Sequence, residues 1–242
     1  MILIDVVIMG IAVATLLIGS YEDIKSREVD RFLFIPLVLV GSIGMFFDQT
    51  SPSLSILPVI LFPVVLFFSL FVKFVPWFYA LIGVAFFAVF LYLSPPGYFL
   101  DLAVILLIYL LGLGEKFFGA GDIKAMLAIS TGFTSPFIYD FVKPTFAQSI
   151  FPFDFGFLFT VSIVSMFSVF YVLVMNMRGG QHVSVYSFFS FGYDEDKLKK
   201  NPERYSVRQF KGRQIMVYRL PFIVPIFIGF LIVSAFGNWF IL

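Results

Sequence analysis

Long apolar runs separated by short polar clusters dominate the chain. The runs span residues 2–20, 32–47, 56–73, 77–93, 99–114, 123–134, 157–177 and 220–240. A hydrocarbon core of about 30 Å takes roughly 20 helical residues, or a few fewer for a short span. The pattern therefore predicts an all-α polytopic membrane protein with six to eight transmembrane helices, the run 123–134 being the shortest. Residues 80–93 have no polar side chain except Tyr92 and read as lipid-facing. Prolines 36, 58, 63 and 225 fall in or near the runs, where membrane helices tolerate them as kinks.

Two stretches break the pattern. Residues 135–156, rich in Pro and Phe, read as an outer loop lying along the interface. Residues 178–219 are the only sizeable polar piece. Within it, 183–191 and 214–219 have strand-like composition and flank the mixed-charge run 194–204. This predicts a membrane domain over 1–177, a small α+β or β insertion over 178–219 and a last membrane helix over 220–242.

Charge placement orients the chain. With the N-terminus outside, the loops 21–31, 73–76, 114–124 and 178–219 face the cytosol. Of the 16 Lys and Arg residues only Lys143 then lies outside. Basic residues are retained on the cytosolic side during insertion, so this split supports the orientation. It also supports a span at 123–134, without which 178–219 would move outside.

Composition narrows the chemistry. The chain of 242 residues is 60% hydrophobic and 13% charged, about half the usual charged share of a soluble domain. No basic stripe stands apart from the topology signal, which disfavours nucleic acid as a partner. The absence of Cys excludes disulfides, thiol catalysis and Cys-based zinc sites, and the single His182 cannot build a metal site alone. No cofactor is expected. The 36 Phe residues read as lipid-facing packing.

Carboxylates at a membrane edge are costly and call for a reason. Asp23 ends the first span within YEDIKSREVD, and Asp122 follows the run FFGAG before the sixth. The topology puts both on one membrane face, the precondition for a pair. Two close carboxyls can share a proton, because like charges at short range cannot both ionise. One then activates water and the other polarises a carbonyl, with no metal or nucleophilic side chain. Gly119 and Gly121 would clear bulk beside Asp122 so that an extended backbone could approach. Each feature also has a plainer explanation. Asp122 suits a helix N-cap, and Asp23 sits in a charged loop with Glu22, Lys25, Arg27, Glu28, Asp30 and Arg31.

At these residues the sequence resembles a known family. Asp23-Ile24-Lys25-Ser26-Arg27-Glu28-Val29 is similar to the first aspartate motif of type IV prepilin peptidases, especially the archaeal preflagellin (archaellin) peptidases. Gly119-Ala120-Gly121-Asp122-Ile123-Lys124 resembles their GxGD-x-K motif, which presenilin and signal peptide peptidase share only as GxGD. Arg219-Leu220-Pro221-Phe222-Ile223-Val224-Pro225 resembles the start of the last helix in the archaeal members. The resemblance implies a membrane aspartic endopeptidase that cuts the basic leader from prepilin or preflagellin precursors at the cytosolic face of the cell membrane. Asp23 and Asp122 carry over as the catalytic pair, and Gly119, Gly121 and Lys124 as motif residues. Glu22, Glu28 and Asp30 could attract a basic leader, or instead pair with Lys25, Arg27 and Arg31.

Two departures stand beside the resemblance. The aspartates are 122 − 23 = 99 residues apart, farther than in compact archaeal members, and enclose four apolar runs. Bacterial members often carry a Cys-based zinc module and N-methylate the product, and a chain without Cys is expected to do neither. Other readings are a proton-coupled transporter using the same aspartates, a non-catalytic assembly subunit, and a presenilin-like protease cutting within the bilayer. No carboxylate is expected mid-span, which weighs against the transporter.

Overall fold

A computed structural model describes residues 2–30, 32–47, 57–72, 76–94, 98–112, 119–133, 153–178, 190–200, 202–210, 213–218 and 221–237. The expected outer loop at 135–152, Lys143, His182, Arg31 and the strand-like residues 183–189 lie outside them. The described part is mostly helical. Seven helices run α1 (Ile2–Ser26), α2 (Ile35–Phe47), α3 (Leu57–Ser69), α4 (Pro76–Leu93), α5 (Phe99–Gly112), α6 (Ala120–Phe133) and α7 (Phe153–Arg178). A short helix and three strands follow, and α9 (Ile223–Phe236) closes the chain.

Each apolar run thus folds as one helix, and the four runs between the aspartates are α2 to α5. Two stretches, Val6–Ser26 and Phe153–Arg178, are long and apolar enough to cross a membrane, and the other apolar helices are shorter. The prolines have a different role from the kinks expected. Pro36, Pro58 and Pro225 sit in the first turns of α2, α3 and α9, where the missing N–H has no helical partner anyway. Of these four, Pro63 alone is interior to a helix.

Helix α6 is the hub. It packs against α1, α2, α3, α5, α7 and α9, and every residue from Ile123 to Phe133 is buried. A helix wrapped by protein on all sides needs no lipid-facing stripe, which explains why its run is the shortest and least apolar. Close approach is built from small residues: a Cβ added at Gly41 of α2 would lie 2.6 Å from the Cα of Gly132. At the far end of α6, Phe133 meets Phe153 and Phe230 with ring centroids 5.2 and 5.0 Å away. Phe34, Phe62, Phe67 and Phe157 are also buried. The Phe content therefore fills the core as well as the outer faces, a correction to the lipid-facing expectation.

Between α7 and α9 lies the small insertion, with β1 (Ser190–Gly192), α8 (Glu195–Lys200), β2 (Tyr205–Phe210) and β3 (Arg213–Tyr218). β3 is the central strand, antiparallel to both neighbours. β1 pairs with β3 in the register Phe191↔Met216, joining the two stretches expected to be strands. β2 was not expected. Residues 195–200 of the mixed-charge run form α8. Asp194 begins it, its Oδ1 accepting the N–H of Lys197 at 3.1 Å. That N–H holds the Asp194 carboxyl below the usual carboxylate range. Helix α8 buries no residue, consistent with a solvated face.

Candidate active site

Asp23 lies in the last turn of α1. The chain must leave the helix just beyond it, and it does so through Arg27, whose φ of 58° is the left-handed conformation that ends helices. A non-Gly residue there carries strain of about 1 kcal/mol or more. Two hydrogen bonds offset it: the backbone N–H and the guanidinium Nη1 of Arg27 both donate to the carbonyl of Asp23, at 3.2 and 3.1 Å. The reversal is tightened further by the Ser26 hydroxyl, which bridges the carbonyls of Glu22 and Glu28.

The Asp23 side chain turns inward and is 6% exposed. Its Oδ2 accepts the backbone N–H of Ile223 at 2.9 Å, a contact across 200 residues. Ile223 is the first residue of α9. The three motif stretches therefore converge, and α9 supplies a direct partner to Asp23.

Asp122 occupies the first turn of α6. Gly119 caps that helix: its carbonyl receives the N–H groups of Asp122 and Ile123. Asp122 answers by accepting the Gly119 N–H on Oδ2 at 2.7 Å. This is the return half of a capping box, so Asp122 sits three residues inside the helix and is not its N-cap. The carboxylates of Asp23 and Asp122 lie within electrostatic reach of each other. Both are at the same end of the bundle, where α1 ends and α6 and α9 begin.

The glycines serve unequally. A Cβ at Gly119 would press to 3.3 Å from the Asp122 carboxylate, whereas one at Gly121 would make an ordinary 3.9 Å contact with Val29. Bulk matters at 119, and the expectation of a steric need at 121 is not supported. Gly121 does place the second motif against the loop of the first. Lys124 is 5% exposed, with its ammonium 3.6 Å from the centroid of the Phe71 ring, a cation–π contact.

The three acidic neighbours also separate. Glu22 Oε2 accepts the N–H of Asp30 at 3.0 Å, and Asp30 Oδ1 accepts the N–H of Phe32 at 2.8 Å. These two hold the loop into α2. Glu28 is exposed, and no ion pair engages it among the described residues.

A second carboxylate pair escaped the sequence reading. Asp101 and Asp154, in the first turns of α5 and α7, are both buried, and the charge of Asp154 acts on Asp101. Asp154 is fully buried, and the Ser130 side chain of α6 acts on its carboxyl. Ser130 is eight residues beyond Asp122, or about 12 Å along the helix. Both lie near helix ends, in the first turns, and not mid-helix. Asp101 was findable, since it falls within the run 99–114. Among the described residues no three His, Asp or Glu side chains gather as metal ligands.

In comparisons with known proteins, no family model, no curated protein and no solved structure matches the chain.

Proposed function

We propose that the chain is a multi-pass membrane aspartic endopeptidase that removes the basic leader of prepilin-like or preflagellin (archaellin) precursors at the cytosolic membrane face. The observation that carries this reading is the convergence of Asp23 and Asp122, 122 − 23 = 99 residues apart, at one end of the bundle. Soluble proteins rarely expose large contiguous apolar patches. Here Leu81, Val84 and Val89 on α4 and Phe167, Phe170 and Val174 on α7 all face outward, which supports lipid as the surrounding solvent.

The chemistry needs only the pair. With one proton shared between them, the anionic carboxylate takes a proton from water as its oxygen attacks the scissile carbonyl carbon. The protonated carboxyl gives its proton to the carbonyl oxygen, forming a neutral gem-diol. In the collapse one gem-diol hydroxyl gives its proton to the anionic carboxylate, the protonated carboxyl gives its proton to the departing amine, and the C–N bond breaks, which leaves the pair with one proton again. General acid and base action of this kind supplies about 10²- to 10⁴-fold each. Co-expression with a tagged precursor, followed by gel shift, tests the assignment: a leader-less product supports it, and silence across several precursors rejects it.

Glu28 is the acidic residue left to meet the leader. Glu28→Lys is expected to slow cleavage of a basic leader about fivefold more than of a neutral one. Equal loss on both leaders would remove Glu28 from recognition.

Asp101 and Asp154 favour a second reading, proton-coupled transport between two buried pairs. The protease reading expects Asp154→Asn to leave leader cleavage within about twofold, the site being about 12 Å away. Proton flux through reconstituted wild type that disappears in Asp154→Asn, with no cleavage by either protein, would select the transporter.

A further inference from the structure

The start of α9 is more than a neighbour of the site. The first N–H groups of a helix have no partner within it, and the first backbone bond of α9 runs from Ile226 to the carbonyl of Phe222. The Ile223 N–H is therefore spare, and it is spent on Asp23 Oδ2 in a buried contact. The positive end of the α9 dipole points at the same carboxylate. Burial works against a charge on Asp23, and the Ile223 N–H and the positive charge of Arg27, at the end of α1, act the other way. Asp122 likewise accepts one backbone N–H, from its capping glycine, and lies in the first turn of α6; what sets the two apart is Arg27 on the Asp23 side and the charge of Asp23 itself, which opposes ionisation of Asp122.

We propose that the backbone N–H of Ile223 is a positioning group for the reaction: with Arg27 it holds Asp23 as the anionic, water-activating member of the pair and leaves Asp122 as the proton donor. This rests on the two-aspartate reading above and assigns the two roles within it. Among the described residues the charged groups around Asp23 are few. On its own element and the loop that follows stand Glu22, Lys25, Arg27, Glu28 and Asp30. Of the helices packed on α1, α2 and α9 carry no titratable side chain, and α6 brings Asp122 and Lys124. The α9 donor can be removed without altering any charge.

Proline makes the removal possible. At the first helical position it costs little, because the N–H it lacks is not used by the helix. Phe222 is in the helical region, which a following proline disfavours, so Val224→Pro serves as the matched control. It places the same demand on Ile223 but leaves the Ile223 N–H in place. The measurement is the pH profile of kcat/KM for leader cleavage by the full chain in membranes. A hydrogen bond to the charged form lowers the pH at which a carboxyl ionises, so its loss moves the acidic limb upward. Ile223→Pro is expected to shift that limb up by about one pH unit and Val224→Pro to leave it in place. An unmoved limb in Ile223→Pro, or equal shifts in both, overturns the proposal. If Ile223→Pro fails to fold, an ester bond in place of the 222–223 amide removes the N–H alone and carries the same two outcomes. If wild type cuts no precursor, the two-aspartate reading fails separately. The test then passes to the carboxyl carbon signal of Asp23, assigned with Asp23→Asn in isotope-labelled protein. Titration at higher pH in Ile223→Pro than in wild type supports the proposal, and unchanged titration overturns it.

Discussion

Asp23→Asn and Asp122→Asn are each expected to lower leader cleavage by about 10³-fold, to the level of background. The loss should be chemical rather than structural. An asparagine at 122 still offers a side-chain oxygen to the Gly119 N–H, so the start of α6 persists at a cost of about 1 kcal/mol or less. An asparagine at 23 still accepts from Ile223. Neither can give up or take a proton at working pH. Because the two act as one unit, the double variant should be no worse than either single one. Cleavage rates measured beside thermal melts of the purified variants check this. Near-normal cleavage by either single variant, with a normal melt, removes that residue from the chemistry.

Gly41→Ala is the fold-level change with the largest expected effect. Its Cβ would lie 2.6 Å from the Cα and 2.9 Å from the N of Gly132, both backbone atoms that no rotamer change can move. Helices α2 and α6 must then separate, at about 1–3 kcal/mol. Small residues allow such close approach, and packing is the main force between helices in lipid. Activity should suffer as well, because α6 carries Asp122, and a displacement of about 1 Å at a reacting group can cost about 10²-fold. Gly10→Ala on α1 is the control: nothing lies within 4 Å of a Cβ there, so it should melt and cleave as wild type. A Gly41→Ala protein that melts with wild type would contradict the α2–α6 contact.

The helices were legible because each is a continuous apolar run, and runs of that length have few other ways to satisfy their backbone. Their ends were less so. Helix α1 continues six residues past the expected end at 20, through Asp23 to Ser26, because hydropathy falls at the polar cluster although helical hydrogen bonding does not. Helix α7 begins at Phe153 rather than 157, carrying the buried Asp154 into the bundle. In the insertion, β2 has the sequence YSVRQF, whose alternating polar and apolar residues gave a weak signal beside a charged run. Asp23 and Asp122 were readable as a candidate pair from topology and motif spacing. The hydrogen bond from Ile223 to Asp23 was not, since nothing local at either residue encodes a partner 200 positions away. Nor was the division among the acidic residues. Glu22 and Asp30 spend their oxygens on loop N–H groups, and only the folded loop distinguishes them from Glu28.

The central claim is hydrolysis of one bond at the junction of a basic leader and a hydrophobic segment. The most direct measurement is mass spectrometry of a defined archaellin-type precursor after incubation with the purified chain in lipid vesicles, against the Asp23→Asn, Asp122→Asn double variant. The account predicts one new N-terminus, at the start of the hydrophobic segment, made by wild type and absent with the variant. An intact precursor, a cut deep within the hydrophobic segment, or the same product from the double variant would contradict it.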